Sequence, residues 1–135
     1  MNGKLTSEQL ANFILGDLDL LAIVLKQPHA IIQECRSMLP RLVITTTTIC
    51  KVLMDLQQHR ITAEQAQKWA SFVRRGYVAY KQKGPIKPIE IDYDITVEDL
   101  IADVISRLDE IGDLIDGTIS EEKLKMMIRQ LSDEE

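Results

Sequence analysis

From Leu10 to Leu131 the apolar residues recur every three or four positions, and only once, between Ile89 and Ile95, does the interval drop to two. A spacing of three to four puts apolar side chains on one face of a helix, and a spacing of two puts them on one side of a strand. The chain is therefore bound to fold as an all-α bundle of about five to six helices with a single extended segment near 86–95. At 135 residues it is long enough for one hydrophobic core and too short for two of ordinary size, so a single domain over 1–135 is expected.

The helix boundaries follow from local chemistry. Thr6 with Gln9 forms a capping box, in which each side chain satisfies a backbone N–H of the first turn, and a first helix over about 7–26 follows until Pro28. A second is expected over 29–38 and a third over about 41–58, with Pro40 at its first turn. The third contains Thr45, Thr46, Thr47 and Thr48, a β-branched run that favours strand, yet Leu42, Val43, Ile49, Val52, Leu53 and Leu56 keep helical spacing around it. A second capping box, Thr62 with Gln65, opens a helix over about 63–82 with Ala66, Trp69, Ala70, Val73, Tyr77 and Tyr80 on one face. Trp69, the only tryptophan, sits mid-stripe between alanines and is expected in a helix–helix groove. Thr96 caps a helix over about 97–115, Asp116-Gly117 is a turn, and Ser120 caps a last helix over 121 to about 131.

In the interruption, Ile89, Ile91, Tyr93 and Ile95 alternate with Glu90, Asp92 and Asp94. A lone strand leaves its backbone groups unpaired. The segment must lie along helices as an arm, pair with a short unrecognised segment, pair with its own copy in a dimer, or accept a strand from a partner.

Charge is divided along the chain. Residues 1–84 carry a net +5 and residues 85–135 a net −10, which together give the overall −5. The acids Glu90, Asp92, Asp94, Asp99, Asp103, Asp109, Glu110 and Asp113 form the candidate partner-binding surface. An acidic surface steers a basic protein toward itself and discriminates against acidic ones. The simpler reading is a solvated helix face, its acids favoured near helix N-termini. Lys68, Arg74, Arg75, Lys81 and Lys83 make a smaller basic patch, expected to pair with the acidic part within one molecule or between two. The acidic third of the chain disfavours nucleic acid.

Other classes fail on spacing. His29, His59, Cys35 and Cys50 match no structural zinc pattern, and no Gly-rich phosphate loop, serine elbow or activated cysteine is present, so neither metal, cofactor nor enzymatic activity is predicted. The longest apolar run, 20–25, is too short to span a membrane, and the two thiols lie in apolar stretches, which favours the cytoplasm.

The stretch Ile61-Thr62-Ala63-Glu64-Gln65-Ala66-Gln67-Lys68-Trp69-Ala70, followed by Ile91-Asp92-Tyr93-Asp94-Ile95-Thr96-Val97-Glu98-Asp99-Leu100, resembles the small helical bacterial immunity proteins of the colicin D type. The resemblance covers about a third of the chain and implies an acidic helical bundle that blocks a cationic nuclease toxin. It transfers no inhibitory residue, and this chain differs by a further helix after Gly117. The leading expectation is a non-enzymatic protein-binding module that docks a basic protein, such as a toxin, on its acidic surface. The alternative is a structural or regulatory homodimer that exchanges the arm at 86–95.

Overall fold

A computed structural model describes residues 5–78 and 87–109, together with Met126, Ile128 and Arg129. Among these residues the chain is a helical bundle: α1 (Ser7–Ile14), α2 (Leu21–Leu25), α3 (His29–Ser37), α4 (Thr46–Gln57), α5 (Ala63–Arg75) and α6 (Glu98–Asp109). Two-residue strands, β1 (Val43–Ile44) and β2 (Asp92–Tyr93), pair in parallel, with Val43 opposite Asp92 and Ile44 opposite Tyr93. The expected turn at Asp116-Gly117 lies outside the described residues, as does most of the last helix.

Both capping boxes form. Thr6 accepts from the Gln9 amide while Gln9 caps the Thr6 amide in return, and Thr62 and Gln65 repeat the arrangement at α5. The helix expected over 7–26 is broken in two. Gly16 adopts φ +108, a left-handed value that glycine reaches without a Cβ penalty, and Asp17 then caps a short 3-10 turn, Leu18–Leu20, that leads into α2. The third helix begins at Thr46 rather than near 41. Arg41 and Leu42 are irregular, Val43 and Ile44 join the sheet, and the Thr45 hydroxyl accepts the Thr48 amide as the N-cap. The β-branched residues thus split at Thr45: those before it obey strand propensity because β2 supplies a partner, and those after it follow the helical stripe.

The α5 helix stops at Arg75, not near 82. Gly76 ends it at φ +80, and its amide closes on the Phe72 carbonyl. Its carbonyl in turn accepts the Ile89 amide at 3.1 Å, so the returning chain lies directly against the helix end. A Cβ at position 76 would stand 2.7 Å from the Ile89 oxygen and 2.8 Å from the Pro88 Cβ. Gly76→Ala is therefore expected to cost about 2 kcal/mol, combining the left-handed strain with the clash, measurable as a lower urea midpoint; unchanged stability would mean that this turn relaxes freely.

The core is one contiguous cluster drawn from every helix. Trp69 is fully buried between helices, as its position implies, and donates from Nε1 to the Phe13 carbonyl at 2.9 Å. Phe13 and Phe72 meet edge-to-face at 5.5 Å. The α5 and α6 helices pack together most extensively, Ile101, Val104, Ile105 and Leu108 supplying the buried stripe of α6. Cys35 is buried and Cys50 partly buried, and neither is in a disulfide. No helix among the described residues is long and apolar enough to cross a membrane.

Candidate protein-docking surface

From Glu90 to Asp103 the chain carries six acids and no base. This stretch runs through β2, a 3-10 turn (Ile95–Val97) and the first half of α6. The pairing with β1 fixes it in place: the Asp92 amide donates to the Leu42 carbonyl and the Asp94 amide to the Ile44 carbonyl, each at 2.9 Å. Of the four ways to satisfy the extended segment, two are realised within this chain: its first residues lie along α3, whose His29, Gln33 and Arg36 reach the Lys87 and Glu90 carbonyls, and Asp92–Tyr93 pair with a short segment, Val43–Ile44, hidden in what reads as helix.

Each acid has a different neighbourhood. Glu90, Glu98 and Asp99 are exposed and make no ion pair among the described residues. Asp92 meets Arg41 at 2.7 Å, and this hydrogen-bonded carboxylate raises the guanidinium above its ordinary value. Asp94 turns inward along the backbone, its Oδ1 accepting from both the amide and the hydroxyl of Thr96 and so starting the 3-10 turn. Asp103 pairs with Arg107 one helical turn on, an exposed pair that contributes little. The turn presents Ile95 to solvent at 79% exposure, although the alternation pattern assigns it to the same side as Ile89. The reversal occurs because the strand ends at Tyr93 and the period of two ends with it.

Asp109 does not belong to this surface. It is buried, and one oxygen, Oδ2, accepts from Arg74 and Arg75 at 2.9 Å each. Gln67 also reaches the Asp109 carbonyl oxygen, at 3.1 Å. The reason is packing: Asp109 follows Leu108 on the side of α6 that faces α5, and a carboxylate there is tolerable only with cationic partners. The pairing of basic α5 with acidic α6, expected from charge alone, thus takes place within one molecule at this point. Lys68 pairs instead with Glu64 on its own helix. Glu110 and Asp113 lie outside the described residues, as do Tyr80, Lys81 and Lys83; Tyr77 follows the end of α5.

Tyr93 links the two charge systems. Burial pushes its phenol above the ordinary tyrosine value, Glu98 adds to the rise and Arg74 opposes it. The folded chain therefore holds this proton more tightly than the unfolded chain does. Stability is expected to fall as the pH rises from about 10, the ordinary phenol value, up through the folded one. A Tyr93→Phe variant should flatten that decline, read as urea midpoints between neutral and strongly alkaline pH; an identical decline in the variant would place the proton elsewhere.

Among the described residues no group of three or more His, Cys, Asp or Glu side chains is placed to hold a metal ion. Comparisons with family models, with curated proteins and with solved structures find no match.

Proposed function

We propose that the protein is a binding module that docks a basic protein on the acidic face formed by Glu90, Asp92, Asp94, Asp99 and Asp103, with Glu98 beside them. The observation that carries this reading is a run of six acids with no base between them in sequence, of which Glu90, Glu98 and Asp99 are exposed and without an ion pair among the described residues, while Asp92 and Asp103 meet Arg41 and Arg107. Carboxylates consumed in folding are paired, as Asp109 is, whereas Glu90, Glu98 and Asp99 stand in solvent on a backbone held by the sheet and the capped turn. Rigid presentation of like charge accelerates encounter with an oppositely charged partner. An inhibitor of a cationic toxin is the form of this function that the resemblance to the immunity proteins suggests.

Reversal of two α6 acids, Asp99→Lys with Asp103→Lys, tests the reading. Both side chains are exposed, so the helix content should stay unchanged. Association with the basic partner should slow by more than about tenfold at low salt, and the difference should shrink as salt is raised. Unchanged association at low salt would remove this face as the interface.

A further inference from the structure

Ile95 breaks the burial pattern that the other branched aliphatic residues keep. Every other isoleucine and valine among the described residues is buried or half-buried, whereas Ile95 is 79% exposed. A single exposed apolar side chain is ordinary on a protein surface; Ile95 differs in how it is held and in what surrounds it. Just before it, the Asp94 amide donates to the Ile44 carbonyl at 2.9 Å, and the Asp94 carboxylate accepts from the amide and the hydroxyl of Thr96 at 3.1 and 2.9 Å. After it, the 3-10 turn runs directly into α6, whose Ile101, Val104 and Ile105 are buried in the core. Ile95 is thus held from both ends, and as a β-branched residue it has little rotamer freedom to lose on contact.

Beside it lies a shallow hollow lined by Ile95, Thr96, Val97, Glu98, Asp99 and Leu100. Val97 and Leu100 are half-buried, so their outer atoms extend the apolar surface of Ile95, while Glu98 and Asp99 are exposed and carry no ion pair among the described residues. An apolar centre with charge at its edge is the anatomy of a protein interface, in which the rim governs encounter and the desolvated centre governs how long the complex lasts. We infer that Ile95 is the apolar anchor of the acidic face, and that this face takes an amphipathic helix of a basic protein: its apolar row covers Ile95, Val97 and Leu100, and the lysines or arginines beside that row meet Glu98 and Asp99. Ile95 has this role only if the acidic face docks a protein, as proposed above; charge alone supplies fast encounter without slow release. The exposed bases Arg41, Lys51, Arg60, Arg74 and Arg107 already meet carboxylates of their own chain, which favours a different protein over a second copy as the occupant.

Two labelled helical peptides test the anchor by fluorescence anisotropy with the full chain at low salt: one with leucines on one face and lysines on the other, and one of equal charge with every leucine replaced by glutamine. The wild type should bind the leucine peptide about tenfold more tightly, the gain from covering one isoleucine side chain. Ile95→Ser should lose that preference while keeping its affinity for the glutamine peptide and its helix content, because the side chain stands outside the core. Asp99→Lys with Asp103→Lys should weaken both peptides. A leucine preference that survives Ile95→Ser, or is missing from the wild type, removes the anchor and leaves the acidic face standing. Undiminished binding of both peptides by the charge-reversed variant removes the face itself, and the anchor with it. Sedimentation of the wild type alone tests the remaining occupant: self-association that Ile95→Ser abolishes would put a second copy on this site and overturn the proposal.

Discussion

Replacement of Trp69 by alanine is expected to remove about 4 kcal/mol of stability, the largest effect of any single substitution in this chain. The ring is fully buried in the core on α5, with its indole N–H on the Phe13 carbonyl of α1, so truncation leaves a cavity in a close-packed interior that collapses only in part. It also removes the indole N–H from the Phe13 carbonyl, which keeps the Gly16 amide as a donor. Trp69→Phe separates the two contributions: it keeps most of the apolar volume and loses the bond, and should cost about 2 kcal/mol. Urea denaturation followed by circular dichroism reads both, since the intrinsic fluorophore is lost. Domains of this size have only about 5–15 kcal/mol to lose, so the alanine variant should also melt well below the wild type. A loss of less than 1 kcal/mol in the alanine variant would mean that the core around Trp69 is not closed in solution.

The second large effect belongs to the Arg74–Asp109–Arg75 cluster. Because both guanidinium groups bind the same carboxylate oxygen, either one can shield the charge when the other is removed. Arg74→Ala and Arg75→Ala should therefore be mild singly. The double variant leaves a buried carboxylate without a cation and should cost about 3 kcal/mol, well beyond the sum of the singles. Restoring neutrality by adding Asp109→Asn to the double variant should recover part of the loss. Additive, small effects in all combinations would show that water reaches Asp109 in solution.

This cluster also explains what the sequence conceals. A basic α5 and an acidic C-terminal part are visible as composition, and their attraction follows from charge alone. Which acid is consumed depends on helical phase near the end of α6, where Asp109 turns toward α5 while Asp99 and Asp103 turn away. A shift of one residue in phase decides between a docking residue and a structural one, and the approximate boundaries that sequence spacing supplies do not resolve it. The helical class, both capping boxes, the α3 boundaries and the burial of Trp69 were legible because each rests on interactions within one turn or on a strong apolar stripe. The breaks were harder. Gly16, Thr45 and Gly76 end or begin elements through backbone conformation and long-range partners: the Lys51 amine on the Gly16 carbonyl, the β1–β2 pairing after Leu42, and the Ile89 amide on Gly76. None of these partners is near in sequence, so the apolar stripe runs across all three positions without a mark.

The same long-range pairing gives the acidic face its shape. Pairing with β1, together with the α3 side chains and Gly76, sets the segment bearing Glu90, Asp92 and Asp94 in a fixed relation to α6 and turns six charges from a composition into a surface.

The most direct test of that surface is capture from the native host with two tagged baits side by side, the wild type and the Asp99→Lys, Asp103→Lys variant, at low and then high salt. A basic protein is expected on the wild type at low salt, released as salt rises, and absent from the reversed bait. Recovery of the same proteins by both baits, indifferent to salt, would contradict it and return these acids to solvated surface.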